Sequence, residues 1–198
     1  AKIINCDLFD INNISSSINE VLHLTKKIDI IYHIAGGGLG MRDALINPKD
    51  FLKVFNLNFL SILEINRIII PYMLKRKRGN IVHVGSTTSF EAIGSLSYNV
   101  AKHSLYAYVK TIGKEFADKN IIINGIAPGA FEGNQNSMNR LKKNNYKFYK
   151  QFIDNKLPRK KMGKAKELLF LLLYLGSSES SFTSSNLLSI DAGELNRY

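Results

Sequence analysis

Short runs of β-branched and aliphatic residues alternate along the chain with longer stretches in which apolar residues recur every three or four positions. The first pattern predicts strands and the second helices. Runs at 2–6, 28–34, 81–84, 121–126 and 187–190 read as strands. Helical periodicity covers 14–26, behind the capping candidates Asn12 and Asn13 and a Ser-rich turn. It returns over 48–74, with Pro48 in the first turn, and over 97–116. The strand at 121–126 stops at Ala127-Pro128-Gly129; a loop and helical stretch then runs to 155, and a last helix covers 165–175. Most of these strands are apolar on both faces, which a parallel sheet covered by helices on each side requires. The expected fold is therefore a single α/β domain with a doubly wound parallel sheet. No repeat or linker divides it.

In such sheets ligands bind beyond the carboxyl ends of the strands. Four segments fall there: Asp7, Ala35-Gly36-Gly37-Gly38, Gly85-Ser86-Thr87-Thr88 and Ala127-Pro128-Gly129. Tyr98 and Lys102, four apart on a predicted helix, share one face. A Tyr hydroxyl near its reference pKa of about 10 is a poor base, and an adjacent ammonium favours its phenolate. The spacing alone is weak evidence, because Tyr106/Lys110 and Tyr146/Lys150 repeat it. Context separates them. Only Tyr98 has a hydroxyl residue, Ser86, twelve positions upstream at the end of a strand.

Composition narrows the class. With 45% hydrophobic residues and 22% charged, the chain is neither disordered nor collagen-like. One cysteine, Cys6, excludes a disulfide framework and a cysteine-rich zinc site, and no metal site is expected. The longest fully apolar stretch, 168–175, is short of the roughly 18 residues of a membrane span, and no secretory signal pattern is visible, so a cytoplasmic location is expected. The net charge of +11 raises nucleic acid as a partner. The basic run 75–78, however, closes a helix before Gly79-Asn80, where cations complement the helix dipole. A second cluster, including Lys142, Lys143, Lys147, Lys150, Lys156, Arg159, Lys160 and Lys161, follows the candidate chemistry. It reads as a solvated face or as one that meets an anionic substrate. Neither nucleic acid nor membrane is expected as a partner.

Taken together, these residues resemble the short-chain dehydrogenase/reductase family over essentially the whole chain. Tyr98-Asn99-Val100-Ala101-Lys102 is similar to its Tyr-x-x-x-Lys, and Ser86 to its catalytic serine, at a spacing one residue shorter than usual. Asn58 falls on the family's helix asparagine, 28 residues before Ser86. Pro128-Gly129 resembles the element beside the nicotinamide, Asp7 the adenine-contacting acid, and Asp191-Ala192-Gly193 the family's C-terminal layout. The resemblance implies a Rossmann-like fold and NAD or NADP as cofactor. It implies catalytic roles for Ser86, Tyr98, Lys102 and Asn58, and cofactor contacts from Asp7, Ala35, Gly36, Tyr98, Lys102, Pro128 and Gly129.

Three departures stand out. His33-Ile34-Ala35-Gly36 replaces the family's Asn-Asn-Ala-Gly, and Gly133 takes the place of a threonine that often meets the carboxamide. His33 reads either as a substitute hydrogen-bonding group or as an ordinary partly buried histidine. The Gly-rich phosphate loop has no counterpart: Gly36-Gly37-Gly38-Leu39-Gly40 has Arg42 in the final glycine position and does not open a helix. By the family's layout residues 1–198 would lack roughly its first fifty residues, about two strand-plus-helix units. The domain is thus expected to be incomplete at the N-terminus, unstable alone and unable to bind a dinucleotide. Strand 2–6 would stand apart from 28–34 or shift to pair with it.

The implied reaction interconverts a carbonyl and an alcohol on a small molecule. A sugar-type substrate of surface-polysaccharide biosynthesis is one reading. A 3-oxoacyl-carrier-protein substrate, with 75–78 docking an acidic carrier, is a second. A non-catalytic remnant or interaction subunit is a third. Apolar residues on the helices 51–74 and 97–116, including Phe59, Ile62, Tyr106, Tyr108 and Ile112, further suggest a homodimer or homotetramer.

Overall fold

The computed structural model describes residues 1–25, 27–134 and 136–197. Its main sheet holds four parallel strands, β1 (Ile30–His33), β2 (Gly79–Val84), β3 (Ile121–Pro128) and β6 (Asn186–Ile190), in the order β1-β2-β3-β6. Strands β2 and β3 are almost wholly buried, as expected for apolar runs covered on both faces. One face carries α3 (Ser61–Arg76) and α4 (Leu96–Phe116), packed through Ile69, Met73, Leu105 and Val109 onto Ile81, Ile121 and Ile123. The other carries α7 (Leu169–Gly176), whose Leu175 meets Val82 and Ile126. The α/β, doubly wound expectation holds.

Helix α1 (Ile11–Thr25) lies outside α3, to which Ser15 Oγ donates at 2.7 Å through the Glu64 carboxylate. The expected helix began at 14; it starts three residues earlier because Asp10, not Asn12 or Asn13, accepts from the Asn12 amide. Lys26, its expected last residue, lies outside the described residues. The segment expected over 48–74 forms α2 (Pro48–Phe55), a π-helical turn (Asn56–Leu60) and α3 in one continuous run, with Asn47 capping Asp50 N. This run of 29 residues is long and apolar enough to cross a membrane by length and composition. Its inner face is nevertheless part of the core, with Val54, Ile62, Ile69 and Met73 buried.

The strand expected at 2–6 is not formed. Those residues run beside α1, where Ser17 Oγ donates to Asn5 O, and they join no ladder; β1 pairs only with β2 among the described residues. A β-branched run becomes a strand only where a neighbour takes its backbone groups. Strand β3 extends two residues past its expected end: Ala127 and Pro128 pair in register with Ser189 and Ile190. A two-residue parallel ribbon, β4 (Phe131–Glu132) with β5 (Gly163–Lys164), escaped the sequence reading. Between them, α5 (Ser137–Asn144) and α6 (Tyr146–Lys156) form an arm whose Tyr149, Ile153, Leu157 and Met162 pack on Ala130 and Met138.

The apolar residues singled out on the helical run 51–74 and on α4 for subunit contact are largely used within the chain. Ile62 is buried, and Phe59, Tyr106, Tyr108 and Ile112 pack against the same core.

Candidate active site

Strand β2 ends at Val84, and Gly85-Ser86 carries the chain over the carboxyl edge of the sheet. Ser86 caps a 3-10 turn (Thr87–Ser89), its hydroxyl accepting from Thr88 N at 3.2 Å. Helix α4 starts at the same edge, so its first two turns present Tyr98 and Lys102 toward Ser86. The Ser86 hydroxyl faces the Tyr98 phenol closely enough to favour its ionised form. The Lys102 ammonium lies 5.7 Å from the centre of the Tyr98 ring and donates to Val84 O at 2.9 Å. Lys102 is only 2% exposed, so its long side chain is held in one place.

Asn58 closes the other side. It sits fully buried in the π-helical turn, an irregularity that re-aims side chains within an otherwise regular helix. Its Oδ1 accepts from Gly37 N at 2.9 Å, and its Nδ2 donates to Gly37 O and Val54 O at 2.9 and 2.7 Å. Both amide protons are thus committed, and one lone pair on Oδ1 remains for another donor. A Cβ on Gly36 would sit 2.8 Å from Asn58 Oδ1 and 3.4 Å from Lys102 Nζ. That close approach requires glycine.

The structure therefore brings Gly36, Asn58, Ser86, Tyr98 and Lys102 together. Pro128 and Gly129 end β3 at the same sheet edge, Gly129 N donating to Ile190 O at 3.2 Å. Ala35 is exposed beside Gly36. Asp7 belongs to the turn into α1, its carboxylate accepting from Phe9 N and its amide donating to Asn13. The two competing pairs have local duties. Tyr106 packs edge-on against Phe90, and Lys150 pairs with Asp154.

Burial sets the electrostatics. It pushes the Tyr98 phenol up, only partly offset by the Ser86 hydroxyl, and it pulls Lys102 down to about 8. The Lys102 ammonium is directed to the Val84 carbonyl. His33 is buried and pulled down to about 4, bonding Asn66 Oδ1 through Nε2 at 2.8 Å. Its stacking partner His83, fully buried, has no hydrogen-bonding partner for either ring nitrogen among the described residues. Sequence reading passed over His83; its signal was the common register with His33 on adjacent strands.

The residues fit one end of a nicotinamide dinucleotide. Lys102 has spent one of its three N–H donors, and Gly36 leaves room for a ligand to reach the other two. Residues 36–40 do not make a phosphate loop, since Met41 N turns back to Gly38 O and α2 starts only at Pro48. Comparison with known proteins decides the family. A family model described as enoyl-(acyl carrier protein) reductase matches residues 1–194. The chain belongs to the short-chain dehydrogenase/reductase family. These are NAD(P)-dependent oxidoreductases of alcohol and carbonyl groups. The chain is 28% identical over 188 residues to 3-oxoacyl-(acyl-carrier-protein) reductase of Thermotoga maritima, covering 93% of this chain and 73% of that protein. It is 29% identical over 195 residues to the enzyme of the same name from Buchnera aphidicola subsp. Baizongia pistaciae, covering 96% and 76%. The crystal structure of levodione reductase superposes with a TM-score of 0.88 at 25% identity, covering 98% and 76%.

Proposed function

We propose that this dehydrogenase/reductase reduces a 3-oxoacyl group, or oxidises the corresponding alcohol, with Tyr98 as the proton-transfer residue. The observation that carries this reading is the junction of Tyr98 with Ser86 and Lys102 at the carboxyl edge of β2. A bound nicotinamide supplies or accepts the hydride. In the reducing direction the Tyr98 hydroxyl gives its proton to the carbonyl oxygen, while the Ser86 hydroxyl donates a hydrogen bond to the same atom. The Lys102 ammonium, placed against the Tyr98 ring, favours the phenolate formed once it turns from Val84 O. Asn58 keeps Gly37 in place and offers the remaining Oδ1 lone pair to a water on the proton path.

The oxoacyl substrate is favoured by the names of the two curated relatives and by where the charge lies. Residues 136–166 hold 11 Lys and Arg against one Asp, a net +10 of the chain's +11. This arm packs on Ala130, next to Pro128-Gly129, on the site's side of the sheet. An acidic carrier would meet it there. The run 75–78 is at the opposite edge: it precedes β2, whose six residues span about 20 Å before Ser86 is reached, and Arg76 is paired with Asp29. The same arm suits a phosphorylated or nucleotide-linked sugar, which is the second reading.

The test is turnover of a 3-oxoacyl thioester and of a nucleotide sugar with NADH and NADPH by parent and Tyr98→Phe protein. Loss of about 10²–10⁴-fold in kcat for the thioester is expected. Equal rates in parent and Tyr98→Phe overturn the reading.

A further inference from the structure

The segment that follows β6 turns back onto two of the loops at the site. Glu194 reaches back 64 residues to accept a hydrogen bond from Ala130 N at 2.6 Å, immediately after Pro128-Gly129. The fit is close: a Cβ on Gly129 would collide with the Glu194 carboxylate and with Asp191. Two residues on, Asn196 N donates to Glu91 Oε1 at 2.9 Å. Arg197 then lays its guanidinium 3.4 Å from the centre of the Phe90 ring and donates to Ser189 Oγ at 3.1 Å. Phe90 and Glu91 belong to the loop begun by Ser86, with Glu91 N bonded to Thr87 O. The strap is itself held in shape by Asp191, which accepts from the amides of Gly193 and Leu195.

We propose that residues 194–197 are a positioning strap that ties the Ser86 loop to the Pro128–Ala130 backbone, with Glu194 as its positioning residue. The physical case is one of connectivity. The two loops leave different strands, β2 and β3, and each is free to shift on its own beyond the sheet. A carboxylate on a backbone amide is a charge-assisted bond, short and roughly twice as strong as a neutral one. The stacked guanidinium adds a second anchor on the other loop. Movement of one wall is then transmitted to the other through four residues of backbone. The proposal rests on the reading that Ser86 and Pro128-Gly129 wall one active site, and it adds what fixes their separation.

Amide hydrogen exchange and steady-state kinetics on the full chain test it, using Glu194→Ala, Glu194→Gln and Arg197→Ala. The glutamine retains an oxygen that can accept from Ala130 N. Glu194→Ala is expected to speed exchange at Ala130 and across 87–94 by about tenfold, with Glu194→Gln close to parent. Arg197→Ala is expected to speed exchange across 87–94 and, more weakly, at Ala130. In turnover, Glu194→Ala is expected to lower kcat about tenfold with substrate KM within about threefold, and the glutamine to restore it. Unchanged exchange across 87–94 in Glu194→Ala overturns the strap. So does an equal loss of kcat in the alanine and glutamine variants that follows their thermal midpoints. If Tyr98→Phe turns over like the parent, the functional reading fails, and the exchange data alone still decide whether the two loops are coupled.

Discussion

His33 and His83, Cα partners on the neighbouring strands β1 and β2, stack their rings 4.8 Å apart and 13° from parallel inside the core. His33 is anchored through Asn66, which in turn bonds the Tyr108 hydroxyl at 3.2 Å, and Tyr108 stands edge-on to His83. Two imidazoles at van der Waals separation with Lys102 nearby must both be neutral, because a proton on either would be buried beside other positive charge. The pair replaces hydrogen bonding across the strands with stacking, and it makes the fold sensitive to acid.

The sign follows from linkage. His33 falls from 6.5 to about 4 on folding, so below pH 6.5 the unfolded chain takes a proton that the folded chain refuses. Stability is expected to decrease as pH drops from 6.5 to 4 and to level off below, by about 3 kcal/mol for this residue. His33→Asn, which keeps an amide near Asn66, should flatten that limb. Urea melts at half-unit pH intervals measure it; identical slopes in parent and variant would contradict the assignment.

Lys102 sets stability against function. Its buried ammonium has one acceptor, Val84 O, among the described residues. Lys102→Met is expected to abolish turnover yet raise the thermal midpoint by several degrees, since each kcal/mol moves a domain of this size about 2–4 °C. Lys102 titrates at about 8 in the folded chain and at 10.5 when unfolded, so raising the pH from 8 to 10.5 relieves the burial cost. The advantage of the methionine should therefore be largest below pH 8 and shrink above it. A lower midpoint for Lys102→Met at pH 7 would show that the ammonium is better satisfied than its one bond indicates.

Gly36 is a sterically tight point in the site. A methyl group there meets Asn58 Oδ1 at 2.8 Å, and Asn58 cannot retreat without breaking its bonds to Gly37 and Val54. Gly36→Ala is expected to cost about 1–3 kcal/mol of stability and at least tenfold in kcat. Differential scanning calorimetry beside turnover separates the two effects. Parent-like values in both would mean that the loop can move away freely.

Helix α7 buries one face on the sheet and leaves Leu169, Phe170 and Leu173 exposed, with Phe182 fully exposed nearby. A row of this kind on a helix is more than scattered surface apolarity. Association through this face, rather than through α3 and α4, is expected to give a homodimer or homotetramer. Light scattering should find the parent oligomeric at micromolar concentration and Phe170→Glu/Leu173→Glu monomeric. A monomeric parent, or an oligomer unaffected by both charges, would count against it.

The sequence by itself determined the elements whose causes are local. Strands β2 and β3 were legible as continuous apolar runs, and α4 as a periodic segment that puts Tyr98 and Lys102 on one face, because alternation and helical spacing act over a few residues. Ser86 and Pro128-Gly129 could be placed at the sheet edge for the same reason. Tertiary structure alone decided which backbone groups found partners. Residues 2–6 have strand composition and no strand, for want of a neighbour. Asn58 was legible as a site candidate, but its three bonds depend on a π-helical turn and on Gly37, 21 residues away. The His33–His83 stack needs two strands in register, and the Glu194–Ala130 contact needs β3 and β6 side by side. Tyr98 carries the same lesson: spacing pairs it with Lys102, whereas only packing shows that burial raises its phenol and that the ammonium bonds the Val84 carbonyl. Short-range periodicity is written in the chain, while desolvation and long-range hydrogen bonding exist only once the chain has packed.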